Sequence, residues 1–295
     1  MSAERLPDAI TRSRYRCVMT TVAVPVVGAS LNVVDEGEPS HPAIVLAHAG
    51  IADLRSWDDL APLLVDAGYR VIRYDARGYG GSRTDDVEFS NRADLIAVLD
   101  TLGIDRAALV GNSRGGHIAI DTAIEFPGRI VALVGVGAGL GGFEGDLTSQ
   151  EEALFREMET LEEAADPDPD AIADIDVRVW VDGPGQPTTR VPAAIRDKVR
   201  LMDAPQYGGE HVTGRPVPLE PPAAARLADL RCPVLAIAGE LDVSEVAQTA
   251  RHLEAAAPNA RAVIMPGVAH MIGMEAPGEV AALIIEFLAP LPRWS

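Results

Sequence analysis

The chemistry in this chain starts at Ser113, which lies in Gly111-Asn112-Ser113-Arg114-Gly115-Gly116. An apolar run over 107–111 precedes it and a helical pattern over 115–126 follows. G-x-S-x-G between a strand and a helix is the signature of a nucleophile elbow. The glycines leave room for a tight turn, and the helix start beyond it offers N–H groups and a positive dipole end to a developing oxyanion. The same residues out of context would read as a glycine-rich turn. Their position between strand and helix favours the reactive serine.

A serine hydroxyl attacks poorly unless a base removes its proton. Of the six histidines, His41 precedes the first core strand at the wrong end, and His211 and His252 fall in a loop and an ordinary helix. His117 follows the serine within its own helix, so its side chain points along that helix. His48 and His270 both follow apolar strand runs. The chain order Ser…Asp…His of this arrangement favours His270, with His48 as the rival. In Gly239-Glu240-Leu241-Asp242, a carboxylate at a strand end can accept the second imidazole N–H and hold the tautomer. Asp242 is the better placed and Glu240 the alternative, and either could simply cap the helix that follows.

These residues need a sheet to bring them together, and the hydrophobic pattern describes one. Segments 20–26 and 29–35 read as a strand pair turning at Gly28. Apolar runs at 43–47, 107–111, 130–136, 233–238 and 262–265 read as strands of a buried sheet, and Tyr69-Arg70-Val71-Ile72-Arg73-Tyr74 reads as another strand. Helical spacing lies between them, around Trp57 to Leu64, and at 93–102, 115–126, 245–257 and 280–288. Such alternation predicts an α/β fold with a doubly wound, mostly parallel sheet, whose ligands bind beyond the carboxyl ends of the strands. From Gly137 the buried runs cease. Acidic helical sequence at 150–164, a linker at 164–170 and proline-rich loops suggest an inserted helical cap over 137–224. The core is then 1–136 with 225–295, of which 1–19 is an N-terminal arm.

Taken together, His48-Ala49-Gly50, Asp75-Ala76-Arg77-Gly78-Tyr79-Gly80-Gly81-Ser82, the Ser113 elbow, Gly239-Glu240-Leu241-Asp242 and Gly267-Val268-Ala269-His270 resemble the α/β-hydrolase superfamily. The resemblance covers about 40–136 and 225–295, not the segment between. It implies Ser113 as nucleophile, His270 as base and Asp242 as orienting acid. It further implies an oxyanion hole from the N–H groups of Arg114 and Gly50, although Ala49 stands where the family usually has glycine. His48 would then be structural, and Asp75 and Arg77 would belong to an architectural turn. Dehalogenases and epoxide hydrolases of this fold resemble the family with aspartate at the elbow, where this chain has Ser113.

The Arg114 side chain is either tied to a nearby carboxylate or reaches the cap to meet a cap acid or a substrate carboxylate. Trp57, Trp180 and Met271 are further pocket candidates, with packing as the other role for each. The expected function is hydrolysis of a small or medium carboxylic ester or lactone through an acyl-enzyme. Carbon–carbon hydrolysis of a ring-cleavage product, or ligand binding without turnover, are the alternatives. No metal and no organic cofactor is expected, and no Gly-x-Gly-x-x-Gly or phosphate loop is present.

The whole composition narrows the classes further. At 295 residues with 47% hydrophobic, the chain can bury a large core. Its 25 Lys and Arg against 44 Asp and Glu leave a net charge of −19, which opposes nucleic acid and anionic membrane as partners. A small acyl compound is the partner expected, and the oligomeric state is open. No apolar run is long enough to span a bilayer. The start carries arginines without an apolar stretch, and Cys17 and Cys232 cannot build a disulfide framework. A cytoplasmic location is therefore expected.

Overall fold

The computed structural model describes residues 19–208 and 212–294. All but the last residue of the expected N-terminal arm, together with Cys17 and His211, lies outside the described residues. Eight long strands follow in chain order: β1 Met19–Val26, β2 Ala29–Glu36, β3 Ala43–Ala47, β4 Arg70–Tyr74, β5 Ala107–Asn112, β6 Ile130–Val136, β7 Val234–Gly239 and β8 Ala260–Met265. They form one sheet in the order β1-β2-β4-β3-β5-β6-β7-β8, and the two-residue strand Arg83–Thr84 adds to β2. The β1–β2 and β2–β4 pairings are antiparallel. From β4 to β8 every pairing is parallel, as the apolar runs predict.

Side chains alternate across the sheet and build two cores. On one face Val45, Ile72 and Leu109 meet Leu95 and Leu99 of α2 Asn91–Thr101, Ile118 of α3 Arg114–Glu125 and Leu253 of α7 Ser244–Ala256. On the other, Ile44, Leu46, Val110 and Ile237 meet Leu64 of α1 Ala61–Asp66, Ile272 of α8 Ile272–Glu275 and Ile284 of α9 Pro277–Leu288. Residue 44 on one face and 45 on the other is the two-residue period of a strand. Each such side chain, fully buried, contributes roughly 1.5–3 kcal/mol, so both helical layers are held by the sheet.

Between β6 and β7 the chain leaves the sheet and builds α4 Ser149–Glu162, α5 Pro169–Asp176 and α6 Ala193–Asp203. Thr148 and Glu151 form a capping box at the start of α4. The expected linker ends at Asp168, whose carboxylate accepts from Asp170 and Ala171 N–H and starts α5. Helix α5 runs directly into a π-helical turn, Val177–Asp182, a local winding that single-residue periodicity does not announce. These helices pack onto the sheet's loops through Val177, Val181 and Met202 against Ile51, Ala52, Met271 and Met274. Among the described residues no helix is long and apolar enough to cross a membrane.

Candidate active site

Ser113 sits between β5 and α3 with φ 53° and ψ −116°, the one non-glycine residue at positive φ among those described. Such a conformation costs of order 1–3 kcal/mol and persists only when the surroundings impose it. They do so here by hydrogen bonding. Ser113 N–H donates to the Val136 carbonyl at 3.0 Å, and its own carbonyl accepts from His117 N–H at 3.0 Å and Gly139 N–H at 3.1 Å. The glycines are required by contact distance. A Cβ on Gly111 would stand 2.2 Å from the Gly115 carbonyl oxygen, and one on Gly115 would stand 2.1 Å from the Ala47 carbonyl oxygen. The motif is thus the packing solution for a helix that starts hard against β3.

Past β8, His270 is buried and its Nδ1 lies 2.8 Å from Asp242 Oδ2. The other carboxylate oxygen, Oδ1, accepts from Val243 N–H at 2.8 Å. Glu240, the alternative acid, is exposed and receives Gly267 N–H instead. With Nδ1 engaged by Asp242, Nε2 is the imidazole nitrogen left for a hydroxyl. The imidazole is close to the elbow: a Cβ on Gly137 would lie 3.1 Å from His270 Nδ1 and 3.4 Å from Asn112 Nδ2. Asn112 joins the two segments, donating from Nδ2 to the carbonyls of Val136 at 2.9 Å and His270 at 3.3 Å. Its amide sits inside the quoted motif, yet sequence reasoning gave it no role, because its partners are carbonyls from two other strands' ends.

His48 is not a free base. Its Nε2 accepts from Ala76 N–H at 3.0 Å, which places the proton on Nδ1, where it donates to the Ala49 carbonyl at 2.7 Å. Burial first, and then the nearby Arg114 charge, lower its pKa to about 4. It therefore stays neutral and holds the loop that carries Gly50. Gly50 is a neighbour of the elbow, since a Cβ there would stand 3.9 Å from Arg114 Cδ. Arg114 begins α3, so its N–H has no intrahelical acceptor.

Three expectations for side chains change. Arg114 neither pairs with a carboxylate among the described residues nor reaches the cap. Its guanidinium lies over the Tyr79 ring at 4.8 Å and donates through Nη2 to Asn91 Oδ1 at 3.2 Å. Aromatic and amide neighbours, distant in sequence, outcompete the expected ion pair. Trp57 is buried in the sheet's second core, against Leu60 and Gly273, where it packs. Met271 is buried where the cap helices meet the sheet's loops and serves packing. Trp180 is the pocket candidate that reaches the centre, its ring centroid 4.6 Å from that of His270.

Two contacts that no motif flagged fix the cap segment to the same loops. Glu151 of α4 accepts from Ser244 N–H at 2.8 Å and Ser244 Oγ at 2.9 Å, two residues past Asp242. Arg190 donates to the carbonyls of Val181, Asp182 and Gly267 and pairs with Glu275 at 2.5 Å. Glu275 in turn accepts Ala269 N–H at 2.9 Å, next to His270.

Comparison with known proteins bears on the family. The chain is 30% identical over 308 residues to epoxide hydrolase A of Mycobacterium tuberculosis, covering 90% of this chain and 95% of that protein. It is 38% identical over 133 residues to a 2-hydroxy-6-oxononadienedioate/2-hydroxy-6-oxononatrienedioate hydrolase of Burkholderia vietnamiensis, covering 38% of this chain and 45% of the relative. The crystal structure of carboxylesterase CesB from Bacillus subtilis superposes with a TM-score of 0.72 at 18% identity, over 93% of each chain, a likeness of fold. Residues 44–283 match the profile of the alpha/beta hydrolase family, and the chain belongs to that family.

Proposed function

We propose that this protein is a serine hydrolase that cleaves a carboxylic ester or lactone through an acyl-enzyme on Ser113. One observation carries the reading: a buried Asp242–His270 pair, 2.8 Å apart, beside a serine held at positive φ on a strand-to-helix turn. Ser113 Oγ attacks the substrate carbonyl while His270 Nε2 takes its proton. Asp242 holds the imidazole by Nδ1 and stabilises the imidazolium. The carbonyl oxygen gains negative charge, received by the N–H groups of Arg114 and Gly50 and by the start of α3. The imidazolium protonates the departing alkoxide, and water then attacks the acyl-serine with His270 as base.

The serine also bears on the epoxide hydrolase relative. Attack of a hydroxyl on an epoxide carbon forms an ether, which offers water no carbonyl to add to. Attack of a carboxylate forms an ester, which water can cleave. A serine at this position therefore suits acyl substrates rather than epoxides. Carbon–carbon hydrolysis is the second reading, favoured by the 38% identity to the dienedioate hydrolase. The same triad would serve it, with a carbanion protonated in place of an alkoxide.

The test is a panel of nitrophenyl esters and a vinylogous diketone, with Ser113→Ala and Asp242→Asn beside the wild type. Loss of about 10³-fold or more in kcat on esters for each variant is expected, with circular dichroism unchanged. Turnover by Ser113→Ala at the wild-type rate, or turnover of the diketone alone, would overturn ester hydrolysis.

A further inference from the structure

A cavity of about 390 Å³ opens beside the reaction centre. Gly50, the second oxyanion donor of the reading above, forms part of its floor, and so does Trp180, whose ring meets His270. The walls are Tyr79 and Tyr207, and the carboxylates are Asp176 and Glu162. Whatever group of a substrate lies beyond the reacting carbonyl on this side must enter this space.

The chemistry of the walls is one-sided. Neither Asp176 nor Glu162 has a lysine or arginine partner among the described residues, although other cap acids do, such as Glu157 with Arg178 and Asp174 with Arg200. Tyr207 Oη donates to Asp176 Oδ2 at 3.0 Å. Behind Asp176, and fully buried, lies Asp203. No side-chain or backbone donor among the described residues reaches Asp203 Oδ2. Burial, and then the charge of Asp176, push the Asp203 carboxyl up to about 9. Burial and the neighbouring acids push Glu162 up as well. The one nearby cation among the described residues, Arg114, lies over the Tyr79 ring at 4.8 Å and donates through Nη2 to Asn91, leaving Nη1 buried without a partner. Carboxylates without a lysine or arginine ion pair among the described residues therefore face a space lined by the Trp180 and Tyr207 rings.

We propose that this cavity is a subsite for a cationic alkylammonium group carried by the substrate, with Glu162 and Asp176 supplying charge and Trp180 and Tyr207 supplying ring faces. A quaternary ammonium keeps its charge at any pH, needs no hydrogen-bond acceptor and is attracted by both wall types. Carboxylate-bearing substrates meet repulsion in the same place, so the subsite also bears on the choice between an ester and a dianionic dienoate. The proposal names the substrate class of the ester-hydrolysis reading and rests on it.

The experiment compares three p-nitrophenyl esters of equal acyl length, ending in trimethylammonium, tert-butyl and carboxylate. At low ionic strength kcat/KM is expected to rank cation, neutral, anion, with the cation ahead of its neutral isostere by about five- to tenfold. In Glu162→Gln and Asp176→Asn that ratio falls at least about threefold, a within-variant ratio that cancels any general loss of activity. A wild-type ratio at or below one, or a ratio unmoved in both variants, overturns the subsite. If the wild type cleaves none of the three esters, the ester reading fails, and the subsite is read by binding alone. Phenyltrimethylammonium then saturably quenches tryptophan fluorescence of Ser113→Ala and binds more weakly when Glu162→Gln is added. Absent quenching, or equal binding of benzenesulfonate, overturns it.

Discussion

His48 illustrates how one side chain can be committed to structure by its hydrogen bonds. Both ring nitrogens are spent on backbone groups, one from the loop after β3 and one from the loop after β4. The folded protein keeps it neutral down to about 4, whereas an unfolded imidazole takes up a proton near 6.5. Between these values the unfolded chain binds more protons. This contribution to stability is therefore complete above about 6.5 and is lost as pH falls toward 4, by on the order of 3 kcal/mol. Wild type is expected to exceed His48→Gln in unfolding free energy at pH 7, with the gap shrinking toward pH 4.5. Urea titrations at several pH values measure it, and a gap independent of pH would contradict the assignment. The sequence left His48 as a rival base until the family resemblance was applied, because both histidines follow strands. Only the positions of Ala76 N–H and Asp242 separate their roles.

The elements around the site work as clamps. Helix α4 is capped by Thr148, and the Glu151 of that same capping box reaches Ser244, beside the Asp242 loop. The Arg190 side chain ties the π-helical turn at Val177–Asp182 to the His270 loop through Glu275. Both partners are largely buried, with side-chain exposures of 13% and 7%. Removing the Glu275 charge leaves a buried guanidinium unpaired, which is expected to cost about 3 kcal/mol or more. Glu275→Gln should therefore lower the melting temperature. It should also reduce kcat on esters by about tenfold with a smaller change in KM, since Arg190 loses its charged partner and Ala269 N–H, next to His270, is left with a weaker, neutral acceptor. Thermal melts with steady-state kinetics check both, and an unchanged kcat would remove the positioning role. The amphipathic stripe of α4 was readable from its periodicity. The clamps were not, since each joins residues dozens of positions apart.

Across the whole molecule, contacts far apart in sequence hold the sheet to its flanking layers. Trp294 is buried in the core on the α1 and α9 side, and its Nε1–H donates to the Ala43 carbonyl at 3.0 Å, at the start of β3. Replacing it with alanine removes a large apolar contact and one buried hydrogen bond, an expected loss of about 3–5 kcal/mol. Trp294→Phe, keeping most of the area, is expected to lose about 1–2 kcal/mol. Urea unfolding of the two variants measures the difference, and equal losses would show that packing contributes little there. The excess of acids has a pattern at this scale too. Cations are consumed in buried pairs at the antiparallel end of the sheet, Arg70 with Asp35, Arg73 with Glu36 and Arg77 with Asp94. Glu162 and Asp176, which line the cavity beside Gly50, have no lysine or arginine ion pair among the described residues.

From sequence alone came the strands of the parallel sheet, their flanking helices, and the elbow serine, acid and histidine at three strand ends. Those features are local: burial on both faces forces an unbroken apolar run, and a tight turn forces glycines at fixed spacing. Tertiary structure decided the partners of Arg114, the burial of Trp57 and Met271, the tautomer of His48, and the cavity between Glu162, Asp176 and the aromatic rings. Each of these depends on which distant groups arrive within hydrogen-bonding or packing distance, and short-range spacing carries no record of that.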